Sequence, residues 1–247
     1  GTGEIMVVLV LGSPVLPSRN NFVKALLKLH PEITTIVQNV NDRSTSMVLG
    51  GNEKVLYGPG FIVDELMGMK FRISSKSFYQ VNPVQTKHLY RKAIELAGLT
   101  GRERVLDAYC GTGTIGMIAS KNAGDVVGVE LNRDAVKDAR KNAKANGVKN
   151  IDFICSDAGD YMVEAASRGE HFDVVIMDPP RSGSTREFID SVKRTKPDRV
   201  VYVSCNPETL ARDLKMLTRS YKVERIVPFD MFPFTSHTEC IVSMSKK

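Results

Sequence analysis

Apolar residues follow two rhythms along this 247-residue chain, and the rhythm changes near residue 70. In the first part, Glu4 to Leu11 reads as a strand and Phe22 to Leu29 has the spacing of a helix, with Asn20 or Asn21 as its cap. Thr34 to Val40 and Ser46 to Leu49 read as strands, with turns at Asn41-Asp42 and Gly50-Gly51. The segments Lys54 to Tyr57 and Phe61 to Leu66 complete this stretch, so residues 1–70 are expected to form a small α+β domain.

Past Phe71 the pattern alternates. Pro83 starts a helix running from about Val84 to Ala97, and the strand Val105-Leu106 feeds a glycine-rich turn that opens a second helix. Strands are expected at Val126 to Val129, Ile151 to Ile154, Phe172 to Met177 and Arg199 to Val203. Helices are expected at Arg133 to Ala145, Phe188 to Lys193 and Thr209 to Leu217. Tyr221 to Pro228 and Cys240 to Met244 read as a closing antiparallel pair. Alternating strands and helices imply an α/β fold, a parallel sheet with helices on both faces, for residues 71–247.

Such sheets bind ligands beyond the carboxyl ends of their strands. Asp107, Glu130, Asp157, Asp178 and Cys205 all fall at those ends. The turn Gly111-Thr-Gly113-Thr-Ile-Gly116, with the acid Glu130 beyond it, satisfies a dinucleotide fingerprint. Asp107 weighs against a dinucleotide, because a carboxylate there repels a pyrophosphate. It suits the ammonium end of S-adenosylmethionine, while Glu130 suits a ribose diol and Asp157 an adenine amino group. A nicotinamide-dependent oxidoreductase is the rival reading of the same turn.

Composition adds less. Hydrophobic residues make up 42% of the chain and charged residues 25%, the balance of an ordinary globular protein. The longest apolar run, Ile5 to Leu11, is too short to span a membrane, and no signal-peptide pattern opens the chain. Four scattered cysteines without a CxxC pair point to a reducing, cytoplasmic setting and to neither a disulfide framework nor a zinc site. A net charge of +6 leans toward an anionic partner such as RNA. The chain opens on Gly1 rather than Met, as a fragment of a longer protein would.

Asp178-Pro-Pro-Arg181 fixes a carboxylate on a rigid turn, but amino-methyltransferases carry an aromatic residue where Arg181 stands. That argues against an exocyclic amine as acceptor. Carbon 5 of a pyrimidine is the alternative, and it reacts only after a nucleophile adds at carbon 6. Cys205, on a strand-end loop that opens a helix, suits that task, and the helix N-terminus is expected to favour its thiolate. Cys110, Cys155 and Cys240 are expected to pack. A base must then remove the proton from carbon 5, and His237 and Glu239 are both available, placed by alternation on one face.

With Phe78-Tyr79-Gln80, Asp107-Ala-Tyr-Cys-Gly-Thr-Gly113, Asp178-Pro-Pro-Arg181, Ser204-Cys-Asn-Pro207 and His237-Thr-Glu239 in that order, the chain resembles the RNA 5-methyluridine methyltransferases. It is most similar to bacterial members acting on 23S ribosomal RNA; transfer RNA is the alternative substrate. The resemblance implies a class I S-adenosylmethionine-dependent fold with a mostly parallel seven-stranded sheet, preceded by an RNA-contacting domain at residues 1–70. It implies Cys205 as nucleophile and Glu239 as base. It also implies donor contacts from Gln80, Tyr109, Thr114, Glu130, Asp157 and Asp178. Members commonly carry an N-terminal oligonucleotide-binding barrel, and some hold an iron–sulfur cluster through upstream cysteines. No cysteine precedes Cys110, so neither that cluster nor another metal is expected in this chain. An RNA-binding module that keeps an inactive methyltransferase fold is the non-enzymatic rival.

Overall fold

A computed structural model describes residues 2–44 and 48–247. The chain divides into two compact units, the first ending at Phe78 and the second running from Tyr79 to Lys247. The sequence reading placed this division at residues 70 and 71. A strand at Met69–Ser74, hydrogen-bonded to its neighbour Phe61–Leu66, keeps the stretch beyond Phe71 with the first unit.

In the first unit, β1 (Ile5–Leu11), α1 (Arg19–Leu29) and β2 (Ile33–Val40) form a crossover that pairs β1 and β2 in parallel. β3 (Asn52–Tyr57) adds to β2 antiparallel. The helix begins after Ser18, so Asn20 and Asn21 lie inside it and do not cap it. β4 (Phe61–Leu66) and β5 (Met69–Ser74) form a hairpin around Met67-Gly68, both at positive φ, as the tightest hairpin turns require. The expected strand at Ser46 to Leu49 begins outside the described residues, and its last two positions are irregular.

The second unit opens with α2 (Pro83–Ala97). Asn82 caps it by accepting from the Gln85 N–H at 3.1 Å, Pro83 occupies its first turn, and Gly98 ends it in the left-handed conformation. Then follow β6 (Arg104–Ala108), α3 (Thr114–Ala119), β7 (Asp125–Glu130), α4 (Arg133–Ala145), β8 (Ile151–Cys155) and α5 (Ala158–Ser167). β9 (Val174–Met177), α6 (Arg186–Thr195), β10 (Arg199–Ser204), α7 (Pro207–Leu217), β11 (Tyr221–Phe229) and β12 (Glu239–Lys246) complete it. The seven strands lie in the order β11-β12-β10-β9-β6-β7-β8. All neighbours are parallel except β12, which runs antiparallel to both β10 and β11. This is the expected α/β sheet.

The helix α5 was not anticipated. Asp157 read as a ligand contact, yet its side chain caps α5 by accepting from the Gly159 and Asp160 N–H groups at 2.7 and 3.2 Å. Tyr161, Met162 and Ala165 then face inward. They join Phe172, Phe188 and Val192 in a core under the sheet. Burying such aromatic side chains contributes roughly 1.5–3 kcal/mol each. Among the described residues, no helix is long and apolar enough to cross a membrane.

One buried polar cluster ties three elements together behind the carboxyl ends of β9 and β10. Asp213 of α7, fully enclosed, accepts from the Tyr202 hydroxyl of β10 at 2.7 Å and from the Ser184 N–H at 2.8 Å. Arg212 Nε donates to its second oxygen at 2.8 Å. Replacing Tyr202 with Phe removes one charge-assisted bond from this cluster, and urea titration of the chain should show a loss of about 1.5–3 kcal/mol. An unchanged midpoint would mean that the cluster does not brace the strand ends.

Candidate active site

The site starts where β6 stops. Beyond Ala108 the chain reverses through three residues at positive φ, Tyr109, Gly111 and Gly113. A side chain at Gly113 would put its Cβ 2.6 Å from the Phe153 ring, so only glycine lets the turn lie against β8. At Gly111 the space beside the Cα is open, leaving bare backbone toward the cleft. Thr114, buried, is the first residue of α3.

Two carboxylates hold this turn. Asp107 accepts from the Gly116 N–H at 2.7 Å. Its other oxygen, Oδ1, is buried and has no hydrogen-bond partner. Burial is the main cause that raises the Asp107 carboxyl to about 7; the bond from Gly116 opposes the shift and the Glu130 charge adds to it. Glu130, at the tip of β7, accepts from the Gly111 N–H at 3.1 Å with one oxygen and from the Asn132 N–H at 2.7 Å with the other. A carboxylate oxygen with a single donor keeps a lone pair for a further one.

Tyr109 turns its ring onto Phe188, with centroids 5.5 Å apart, and its hydroxyl meets Ser184 Oγ at 3.0 Å. Its phenol is raised to about 12, chiefly by burial. Gln80, nearly buried, hydrogen-bonds the enclosed Tyr90 of α2. Tyr90 carried no signal in the sequence beyond its apolar helical spacing.

The thiol and the second acid come together through strand register. Ser204, the last residue of β10, pairs with Cys240 of β12. In an antiparallel ladder the next step sets Cys205 opposite Glu239, where β12 begins. β9 lies on the other side of β10, with Met177 opposite Tyr202, so Asp178 emerges beside the same edge. Asp178 keeps part of its surface open but is enclosed enough that burial raises its carboxyl to about 8, with the Glu239 and Asp107 charges adding to the shift. Glu239 is 5% exposed and raised by burial.

Cys205 is half-buried, and its thiol lies above its ordinary value, not below it. Burial is the first cause, and the charges of Glu239 and Asp178 follow; a backbone hydrogen bond and Arg181 pull weakly the other way. The expectation that the start of α7 favours the thiolate is therefore not met: burial, with the Glu239 and Asp178 charges behind it, holds the thiol up. Asn206, not Cys205, caps α7 through the Glu208 N–H at 3.0 Å. Asn206 and Thr209 both donate to the Arg181 carbonyl, at 3.3 and 3.2 Å, which fastens the Asp178-Pro-Pro turn to the cysteine loop.

His237 does not share the Glu239 environment. It stands exposed in the loop before β12, 3.4 Å from Arg181 Nη2 and edge-on to Phe232. Alternation failed here because the strand starts only at Glu239. Cys110 packs as expected and Cys240 is half-buried, whereas Cys155 lies exposed at the end of β8. Among the described residues, no group of three His, Cys, Asp or Glu side chains is placed to hold a metal. A cavity of about 610 Å³ lies between the end of α4 and the start of β8, among Arg140, Lys144, Lys149 and Ile151, none of them a residue of this cluster.

Known proteins resemble this chain in sequence and in fold. An uncharacterized RNA methyltransferase of Halalkalibacterium halodurans is 45% identical over all of this chain, which covers 54% of that relative. One from Caldanaerobacter subterraneus is 44% identical over 99% of the chain and 54% of the relative. The chain thus spans about half the length of the curated relatives it matches. The crystal structure of Pyrococcus abyssi tRNA (uracil-54, C5)-methyltransferase in complex with S-adenosyl-L-homocysteine superposes with a TM-score of 0.80 at 34% identity, covering 98% of this chain and 56% of that one. The family described as tRNA (Uracil-5-)-methyltransferase matches residues 52–247. A glycine turn flanked by acids, with a cysteine and a glutamate brought face to face beside it, accordingly sits in a chain that belongs to the tRNA (uracil-5-)-methyltransferase family.

Proposed function

We propose that this chain carries the catalytic machinery of an S-adenosylmethionine-dependent methyltransferase that modifies carbon 5 of uridine in RNA. The observation that carries the reading is the register of β10 and β12, which brings a thiol and a buried carboxylate together at the strand ends. The residues present fit the cofactor. Asp107 Oδ1 is a buried acceptor with no donor, where an ammonium group suits. Glu130 keeps acceptor capacity for a ribose diol beside the open backbone of Gly111. Gln80, Tyr109, Thr114, Asp157 and Asp178 complete the proposed donor site; Asp157 and Tyr109 would act there while also capping α5 and packing on Phe188. The family neighbour described with S-adenosyl-L-homocysteine supports the same cofactor. When bound, S-adenosylmethionine supplies an electrophilic methyl group on a positively charged sulfur.

The protein residues do the rest. The Cys205 thiol gives up its proton to solvent, and the thiolate adds to carbon 6 of the uracil, forming a C–S bond. The electron pair of the 5,6 double bond moves toward carbon 5 and oxygen 4. Carbon 5 would then take the methyl group that a bound S-adenosylmethionine supplies, the donor sulfur keeping the electron pair of the broken S–C bond as a neutral thioether. The Glu239 carboxylate removes the remaining proton from carbon 5, the double bond re-forms, and the C–S bond breaks to return the thiolate. A uridine stacked in a helix cannot reach a half-buried thiol, so the target base must swing out of its stack.

Large-subunit ribosomal RNA is the substrate implied by the sequence resemblance. Transfer RNA is the second reading, favoured by the solved neighbour that acts on it.

Two results are expected. Cys205→Ala should cut tritium transfer from labelled S-adenosylmethionine into RNA by more than about a thousandfold. Its affinity for S-adenosylhomocysteine should remain that of the unaltered chain by calorimetry. Running 23S ribosomal and transfer RNA transcripts side by side decides the substrate, and turnover within tenfold of normal by the variant would end the covalent reading. Second, the Glu239 charge disfavours the thiolate, so Glu239→Gln should move the pH midpoint of Cys205 alkylation downward, toward the ordinary thiol value of 9.0. Peptide mass spectrometry after timed iodoacetamide exposure reads this site apart from Cys155. A midpoint that stays put or rises would separate the two groups.

A further inference from the structure

The loop between β11 and β12, residues 230–238, carries Glu239 at its far end and presents Phe234 at its tip. Phe234 is the most exposed large apolar side chain among the described residues. It is also one of the few non-glycine residues at positive φ, 67°. The turn is Phe232-Pro233-Phe234-Thr235, closed by the Thr235 N–H to the Phe232 carbonyl at 3.2 Å. Proline second and a positive φ third are the marks of a type II turn, whose third position ordinarily takes glycine or asparagine. A phenylalanine there sits in a backbone conformation that its side chain disfavours, and it gains no burial in return.

The turn is held from several sides. Thr235 Oγ1 donates to the Phe232 carbonyl at 2.7 Å and accepts from the His237 N–H at 3.2 Å. Met231, almost fully buried, anchors the loop, and its carbonyl accepts from Asn82 Nδ2 at 3.2 Å. His237 meets Arg181 of the Asp178-Pro-Pro turn at 3.4 Å and stands edge-on to Phe232. Phe234 therefore presents an uncovered aromatic ring from a braced backbone turn, in the loop that leads to the proposed base.

We infer that Phe234 is a stacking platform for an RNA base next to the target uridine. This rests on the uridine-methylating reading of the site. Drawing a base out of its stack leaves its neighbour without a partner, and an aromatic ring supplies a replacement without regard to sequence. Aromatic stacking explains why a ring stands where backbone geometry asks for glycine and where no apolar neighbour covers it.

The chain contains no tryptophan, so Phe234→Trp installs a single fluorophore at the contact. The probe is a short 5′-fluorescein-labelled oligouridylate, added with S-adenosylhomocysteine present and followed by anisotropy. Phe234→Trp should bind it within about twofold of the unaltered chain, with its indole emission quenched by the stacked base. Phe234→Leu and Phe234→Gly should bind about five- to a hundredfold more weakly, as loss of one stacked base predicts. Glycine suits the turn, so Phe234→Gly should unfold in urea no earlier than the unaltered chain, which separates loss of the ring from loss of the fold.

An unquenched indole in the bound complex would overturn the inference. So would a glycine variant that binds like the original, or an unaltered chain that does not hold the oligonucleotide. Methyl transfer to RNA by a chain whose Phe234 variants all bind normally would refute the platform alone. Quenching and weakened variants without any methyl transfer would refute the reaction and leave the stacking contact standing.

Discussion

An antiparallel strand inserted among parallel ones is the constraint on which this structure depends. β6, β7, β8, β9 and β10 all end at the same edge of the sheet, which gathers the glycine turn, Glu130, Asp157, Asp178 and Cys205 there. A further parallel strand would bring its own last residue to that edge. β12 runs the other way, so its first residue arrives instead, and that residue is Glu239. The thiol and its facing carboxylate thus meet without a long loop, and the hydrogen-bond ladder of β10 and β12 sets their spacing.

Gathering acids at one edge has an electrostatic cost, and the protein meets it in different ways. Glu130 and Asp157 are satisfied by backbone N–H groups, Glu130 at the glycine turn and Asp157 at the start of α5. Asp107 has one such bond and one bare oxygen, and it is raised to about 7. Asp178 is raised to about 8 by its enclosure and by its neighbours Glu239 and Asp107. Such a cluster is poised for a cationic ligand, which would relieve the repulsion and satisfy the bare oxygen together. Burial first, and then two of these same acids, hold the Cys205 thiol above its ordinary value. One arrangement of charge therefore bears on both the cofactor and the nucleophile.

Much of this was legible in the chain because strand ends are marked by chemistry that apolar patterning does not explain. Asp107, Glu130, Asp178 and Cys205 each interrupt an apolar run, and the alternation of runs and helices placed them on one edge. What stayed hidden depended on backbone detail or on field effects. β5 was missed because its hairpin turns on Met67, a residue that rarely accepts positive φ. α5 was missed because Asp157 was assigned to a ligand, although the same side chain caps a helix. His237 and Glu239 stood equal in the sequence, and only the start of β12 buries one and leaves the other in a loop. The direction of the Cys205 shift depended on its burial and on two acids brought up from other strand ends, which no spacing along the chain reports.

Fluorine at carbon 5 offers the most direct trial of the central claim, because Glu239 can remove a proton from that carbon but not a fluorine cation. RNA transcribed with 5-fluorouridine, incubated with the protein and S-adenosylmethionine, should stall after methyl transfer with the C–S bond intact. Digestion and mass spectrometry should then find a nucleotide attached to the peptide that contains Cys205. Attachment through another cysteine, or 5-fluorouridine RNA that is bound and released without any covalent product, would contradict the account.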